Sequence, residues 1–411
     1  MKPTVLIATT LRWTPTARLA MALANAGFTV DALCPPRHPF EKTGALRKKY
    51  PYRALTAVTS VADAIAGSKP DMVIPGDDLA TSHLHELYRR GLRRGQSGRS
   101  VCDVIERSLG SSQSFSFAHD RSDFIELARA VKVRAPKMKV ISNLDGLRKW
   151  VAQAGLPTVL KANGTSGGDG VRVVHTLKDA EAAFRALQAP PLFLRALKRA
   201  VLDQDTTLLW PSALRRRSVV NAQEFVSGRE ATSAVACWKG AVLASLHFEV
   251  LNKRDSAGPS SVVRRVDHPQ MAFAVETMVR ELNLSGLHGF DFMLEADTEH
   301  AHLIEINPRA TQVGHLTLGA EHDLPAALYA AVTGGVVHPA PKLTENEIIA
   351  LFPQEWMRDP ASPFLQSGYH DVPWDEPELI RSCARKHHKK GEVEFQRAPL
   401  QNLSAVRLPR L

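Results

Sequence analysis

At 411 residues, 44% hydrophobic and 23% charged, the chain is too long for a single core and too apolar for a disordered protein; its length suits two or three domains. A net charge of +10 reads either as a polyanion-binding surface or as scattered solvated charge with local fields that favour anionic substrates. Four widely spaced cysteines (Cys34, Cys102, Cys237, Cys383) with no CxxC pair argue against a disulfide framework or a zinc site and suit a cytoplasmic location.

The start, MKPTVLIATT, reads as a buried strand rather than a signal peptide, and no run approaches the roughly 20 apolar residues that span a bilayer, so no membrane partner is expected. Residues 1–115 alternate strand and helix patterns: a strand at 5–9, an amphipathic helix at 16–27 closed by Gly27, and strands at 28–34 and 71–75. This order predicts a parallel α/β domain of the doubly wound kind, with ligands beyond the carboxyl ends of its strands. Thr9, Thr10, Arg12 and the Gly76-Asp77-Asp78 turn are therefore expected beside a cleft, although that turn reads equally as a helix cap.

From residue 116 the pattern changes to a mixed α+β one. A capped helix is expected near 119–133 and a strand at 137–141. A helix at 143–154 and strands at 158–162 and 171–175 follow, then a helix from about Leu177 and strands at 222–226, 232–238 and 241–250. The segment 342–411 is richer in proline and charge and reads as an appended, partly irregular element wrapping the body.

Between the strands at 158–162 and 171–175 lies Lys161-Ala-Asn-Gly164-Thr165-Ser166-Gly167-Gly168-Asp-Gly170. Four glycines in seven residues leave backbone amides uncovered and able to fold over a polyphosphate, with a lysine upstream as a point charge. A Walker loop or a dinucleotide fingerprint would run into a helix, and a Walker lysine would follow the glycines. Here the lysine precedes the loop and strands lie on both sides. A flexible hairpin tip beside a surface lysine would share this composition.

A second pattern is Gly289-Phe-Asp291-Phe-Met-Leu-Glu295, a polar turn at 296–300, and Ala301-His-Leu303-Ile-Glu305-Ile-Asn307-Pro-Arg309. A hairpin centred on Thr298 sets Asp291 opposite Glu305, each seven residues from the centre. Alternation puts Leu303, Glu305 and Asn307 on the face of Asp291, and Phe290, Phe292, Ile304 and Ile306 on the buried face. Two facing carboxylates repel unless a cation lies between them or one is protonated. With an amide oxygen they form a hard donor set suited to Mg²⁺ or Mn²⁺. Arg309 then stands at the rim with a fork for phosphate or carboxylate.

The glycine loop with its preceding lysine and the E-x-N-P-R strand, in this order, resemble the ATP-grasp enzymes of the carbamoyl-phosphate synthetase and biotin carboxylase group. The resemblance implies an N-terminal α/β pre-ATP-grasp domain (1–115), a two-lobed ATP-grasp domain (116–341, small lobe about 137–225) and a C-terminal extension (342–411). By resemblance, Lys161 and the loop Gly164, Thr165, Ser166, Gly167 and Gly168 hold ATP phosphates, while Glu224, Phe225 and Val226 line adenine. Glu230 takes ribose; Asp291, Glu305 and Asn307 hold Mg²⁺; Arg309 acts with Lys161 in catalysis. One departure stands out: the family's phosphate-binding lysine before the glycine loop is replaced in His119-Asp120-Arg121 by Arg121, a planar fork instead of a point charge.

The expected activity is ligation, in which Mg-ATP activates a carboxylate as an acyl phosphate that an amine attacks. Bicarbonate as the carboxylate, or nucleotide binding without catalysis, are the alternatives. Expected partners are small-molecule carboxylate and amine substrates and a possible second copy in a homodimer. Nucleic acid is not expected, because Arg215-Arg216-Arg217 and the run 385–390 read as solvated charge with no recognition motif. Ser256, Ala257, Gly258, Pro259, Ser260, Ser261 and Arg264 are weaker candidates for substrate contact.

Overall fold

The computed structural model describes residues 2–117, 120–163, 170–189, 218–255 and 258–388. The first β-branched run forms β1 (Thr4–Ala8), followed by α1 (Thr14–Asn25), β2 (Thr29–Cys34), β3 (Leu46–Pro51), α2 (Ala57–Ser68), β4 (Met72–Pro75), α3 (Asp78–Arg93) and α4 (Arg99–Leu109). The strands form a parallel sheet in the order β3-β2-β1-β4. Every residue of β1 and β4 is buried, as a parallel sheet covered on both faces requires. Val5 and Ile7 pack toward α1, and Leu6 and Ala8 toward the side of α2, α3 and α4. Gly27, at φ +113°, reverses the chain between α1 and β2 in a conformation other residues rarely adopt.

The next unit comprises α5 (Arg121–Ala130), β5 (Met138–Ile141), α6 (Leu144–Ala154), β6 (Thr158–Ala162), β7 (Val171–Val174), α7 (Leu177–Gln188) and β8 (Val220–Glu224). Its strands form an antiparallel sheet in the order β5-β8-β6-β7. Leu160, Val174, Val220 and Ala222 pack on one face against Leu147 and Trp150 of α6 and Phe184 of α7. Both helices start at side-chain caps, Asn143 accepting from the Gly146 amide and Thr176 from the Asp179 amide.

The large sheet is built from β9 (Gly228–Trp238), β10 (Ala241–Lys253), β11 (Ser260–Arg265), β12 (Gly286–Glu295), β13 (Ala301–Asn307), β14 (Ile348–Leu351) and β15 (Tyr369–Asp371), with α8 (Pro269–Glu281) and α9 (Leu324–Thr333). Its order is β13-β12-β9-β10-β11-β14-β15. Val235, Cys237, Phe290 and Phe292 face α5 and α8, whereas Ala234, Ala236, Leu246 and Phe248 face α1 and α9. The second face continues directly into the core of the N-terminal sheet, so one apolar layer joins the two units.

The C-terminal segment does more than wrap the body, which is the expectation that its proline and charge suggest. It extends the large sheet, with β14 antiparallel to β11 and β15 parallel to β14. Buried Asp371 on β15 pairs with Arg18 of α1 at 2.5 Å and His315 Nε2 at 2.7 Å, and these two partners hold its carboxyl below the usual range against the cost of burial. Glu355, in the short helix α10 (Gln354–Arg358), is fully enclosed. It accepts from Ser261 at 2.6 Å, Ser362 at 2.5 Å and Arg358 at 2.6 and 2.8 Å.

Burial works against the Glu355 charge, but the hydrogen bonds prevail and lower its pKa from 4.5 to about 2. A depressed carboxylate stabilises the fold above its unfolded pKa and loses that contribution as pH falls through the folded value. The expected contribution is about 3 kcal/mol at neutral pH, lost between about pH 4.5 and 2. Glu355→Gln should therefore melt well below the parent at pH 7, with the gap in Tm closing toward pH 3. A gap that does not change with pH would refute the assignment.

Candidate active site

Strands β12 and β13 place Asp291 directly across from Glu305, the register expected from a turn centred on Thr298. Beyond that pair the ladder slips by one residue, so that Phe292 pairs with Leu303 and Ile304 is the extra residue of a bulge. The slip inverts the expected alternation: Leu303 is fully buried with Phe290 and Phe292, and Ile304 is only half-buried. Periodicity cannot reveal a bulge, because it carries no composition signal of its own.

The Asp291 carboxylate accepts from Thr232 Oγ1 at 2.9 Å and from Asn307 Nδ2 at 2.8 Å. Loss of hydration and the facing Glu305 together raise its pKa, while the Asn307 and Thr232 bonds oppose the rise. Asn307 Oδ1 accepts from Arg309 at 3.1 Å, and Arg309 Nε reaches Asp78 at 2.8 Å. Asn307 thus turns its nitrogen to Asp291 here; as a metal ligand it would present its oxygen.

Lys161 on β6 comes to the same place from the other lobe. It is 6% exposed, and burial lowers its pKa from 10.5 to about 8; Glu305 and Asp291 favour its charge and Arg121 opposes it. Arg121, the first residue of α5, bridges the lobes. Its Nη1 donates to the Ala162 carbonyl at 2.9 Å, and Nη2 and Nε donate to Glu305 Oε1 at 2.9 and 3.2 Å. The face of the small sheet that carries Lys161 also carries Asn221 and Gln223, its register neighbours on β8 and beside Val159. Among the described residues, the side-chain oxygens of both amides are buried without a hydrogen-bond partner. Val140 and Val173 on that face are 41% and 46% exposed. An apolar sheet face with two unsatisfied acceptors and one lysine suits an aromatic base with amino groups and an anionic tail.

The connection from β8 to β9 carries Glu224, Phe225 and Val226. Phe225 is 39% exposed and Val226 half-buried. The Glu224 side chain is tied to the Lys137 amide at 2.8 Å and to its ammonium at 3.0 Å, so it fixes the crossing to β5. Glu230 lies within β9, exposed, and pairs with Lys253 at 2.7 Å. Gly164, Thr165, Ser166, Gly167 and Gly168 lie outside the described residues, as do Ser256, Ala257 and Arg215-Arg216-Arg217. Ser261 bonds Glu355 and Arg264 pairs with Glu249, so both are held in the scaffold rather than turned toward a substrate.

The N-terminal unit closes the third side. Asp77 caps α3 through the Ala80 amide at 2.9 Å and also accepts from Thr9 Oγ1 and the Thr10 amide. Asp78 faces Arg309. Both readings of the turn therefore hold, one for each aspartate. The strand β13 runs on past Pro308 until the Ala310 amide bonds the Pro75 carbonyl at 3.0 Å, seating the end of the E-x-N-P-R segment on the end of β4. Asp78 belongs to the turn expected beside a cleft, whereas Thr232, Asn221 and Gln223 are candidate site residues that arrive through strand register.

The donor set fits a hard divalent cation. Two juxtaposed carboxylates, with the Asp291 pKa raised by burial and by the facing Glu305, form a pair that Arg121 relieves only from the Glu305 side. An amide oxygen within the same network could complete it, and phosphate oxygens would fill the remaining positions. Among the described residues no helix is long and apolar enough to cross a membrane.

Comparison with known proteins agrees with this architecture. Residues 209–313 match the ATP-grasp domain family model. The carbamoyl phosphate synthase large chain of Thermoplasma volcanium is 22% identical over 295 residues, 64% of this chain and 26% of the relative. This chain thus spans about a quarter of the length of that curated relative. Among solved structures, N5-carboxyaminoimidazole synthetase from Staphylococcus aureus superposes with a TM-score of 0.57 at 14% identity, covering 82% of this chain and 79% of that one. The biotin carboxylase domain of the Hydrogenobacter thermophilus 2-oxoglutarate carboxylase, solved as a dimer with MgADP, ADP and bicarbonate, gives 0.59 at 13% identity, covering 85% and 73%.

Proposed function

On the premise that this chain carries the ATP-grasp fold, we propose that it is an ATP-dependent ligase that phosphorylates a carboxylate and joins the resulting acyl phosphate to an amine. The observation that carries this reading is the convergence of Lys161 from the small lobe, and of Arg121 at the start of α5, on the Asp291–Glu305 pair. The Val140–Val173 face, the 224–226 segment and Glu230 would receive base and ribose, and Lys161 would receive the phosphates. Asp291, Glu305 and Asn307 would hold Mg²⁺ (or Mn²⁺), and a divalent ion there would supply charge neutralisation for the phosphates. Lys161 and Arg121 bind phosphate oxygens. Arg309, held in place by Asp78, binds the carboxylate and the charge that develops as its oxygen takes the phosphoryl group. The amine nitrogen then attacks the acyl carbon, phosphate leaves and the amine loses a proton.

A second reading has bicarbonate as the carboxylate. The E-x-N-P-R segment and the likeness to carbamoyl phosphate synthase and to the bicarbonate-bound domain support it. A phosphate-release screen of small carboxylates and amines, singly and in pairs with Mg-ATP, tests both. Ligation predicts release that needs one acid and is raised by one amine; the second reading predicts release with bicarbonate alone. ATP binding with no release from any pool would favour a non-catalytic nucleotide-binding protein. The reading carries with it a cytoplasmic location and a homodimer.

A further inference from the structure

Arg121 stands where a metal's charge would be needed. Its guanidinium makes two contacts to Glu305 Oε1, at 2.9 and 3.2 Å, and a third to the Ala162 carbonyl beside Lys161. Glu305 faces Asp291, which is anchored by Thr232 and Asn307. The molecule thus contains a carboxylate pair that repels, one member of which is already neutralised by a side chain from another element. That side chain is also a phosphate ligand in waiting: a planar fork at the start of a helix, beside the strand that leads into the glycine loop.

We propose that Arg121 is a surrogate cation that occupies Glu305 in the nucleotide-free enzyme and is drawn onto the phosphates when nucleotide binds, so that metal binding is conditional on nucleotide. The inference rests on the metal assignment of the preceding section. Before nucleotide arrives, a divalent ion at Glu305 meets the positive charge of Arg121 a few ångströms away. Once the phosphates take the guanidinium, Glu305 and Asp291 are left as an uncompensated pair, and the ion enters with the nucleotide that also ligates it. A lysine at this position would have a single point of charge and could not grip Glu305 Oε1 and the Ala162 carbonyl with separate nitrogens of one planar group. The replacement of lysine by arginine thereby turns a phosphate contact into a gate on the metal.

The test is Mn²⁺ binding by the full chain, followed by loss of the free-ion EPR signal, without nucleotide. Removing a positive charge this close to the ligands should tighten Mn²⁺ binding by Arg121→Gln about tenfold relative to the parent. Affinity of the same variant for metal-free ADP should fall, because the phosphates lose a ligand. Opposite signs for the two ligands are the signature, since a merely structural role would weaken both. Arg121→Lys should lie between the parent and Arg121→Gln for Mn²⁺, and it carries the test if the glutamine variant does not fold. Mn²⁺ binding that is unchanged or weaker in both variants overturns the inference. The metal assignment is tested separately: if Glu305→Gln leaves Mn²⁺ binding in the presence of ADP at the parental level, that assignment fails, and the surrogate role with it.

Discussion

Glu305→Gln is expected to lower ATP turnover by about 10²–10³-fold, the range seen when one preorganised electrostatic contact is lost at a reacting phosphate or oxyanion. The substitution keeps the shape of the side chain and an acceptor oxygen for Arg121, and removes only the charge. Stability should change far less, by under about 1 kcal/mol, because two effects oppose each other. The partly exposed ion pair with Arg121, whose side chains are 17% and 30% exposed, weakens, while Asp291 is freed from a like charge across the strand. Steady-state phosphate release together with thermal melting separates the two quantities. Turnover retained within a few-fold of the parent would remove Glu305 from the metal site, whatever the melting temperature did.

Lys161→Met should weaken nucleotide binding and stabilise the fold. Burial depresses the ammonium from 10.5 to about 8, so at neutral pH the folded protein holds a charge that its surroundings disfavour. For a lysine depressed in this way the folded state is penalised below about pH 8, and the penalty fades as pH rises toward 10.5, where the unfolded chain also loses its proton. The size of the shift corresponds to about 3 kcal/mol, so the methionine variant should melt higher than the parent at pH 7 and approach it near pH 10. Its affinity for ADP should fall by about tenfold to a hundredfold, as expected for the loss of one charge-assisted phosphate contact of about 1.5–3 kcal/mol. The parent's own affinity for metal-free ADP should weaken as pH rises through about 8, and the variant's should not. Calorimetric titration at pH 7 and 9 checks both; equal pH dependence in the two proteins would show that Lys161 does not meet the phosphates.

The contrast between the two residues explains what could be read from the chain alone. Facing pairs in a tight hairpin depend on few residues, so counting from Thr298 suffices to bring Asp291 and Glu305 together. The same count fails nearer the turn, where Phe292–Leu303, Met293–His302 and Leu294–Ala301 are each one residue out of register; the bulge at Ile304 restores it at Asp291 and Glu305, and no change in hydrophobic composition announces the slip. Strand β6 lies where its sequence places it, at 158–162, and β8 two residues before the expected 222–226. Their pairing with each other is long-range, and nothing local announces that Asn221 and Gln223 share the face of Lys161. Asp78 and Thr232 join the site only through contacts more than 50 residues apart in sequence, at separations of 231 and 59. Proline and charge in the C-terminal segment suggest irregularity; the short run Ile348–Leu351 is a strand because β11 offers it an edge, and Tyr369–Asp371 because Ile348–Leu351 then offers the next.

That late edge also sets an order of events during synthesis. Arg18 is made early, and its buried carboxylate partner lies 353 residues downstream. At about 5–20 residues per second, roughly 20–70 s pass between the two. Throughout that interval α1 is on the nascent chain with its guanidinium unpaired by Asp371, and the last two strands of the large sheet do not yet exist. The N-terminal sheet can assemble from local βαβ contacts while translation continues, but α1, which lies in the apolar layer between that sheet and the large one, gains its ion pair only after Asp371 has left the ribosome. The segment whose sequence carries the fewest motifs is therefore the one that completes the first domain.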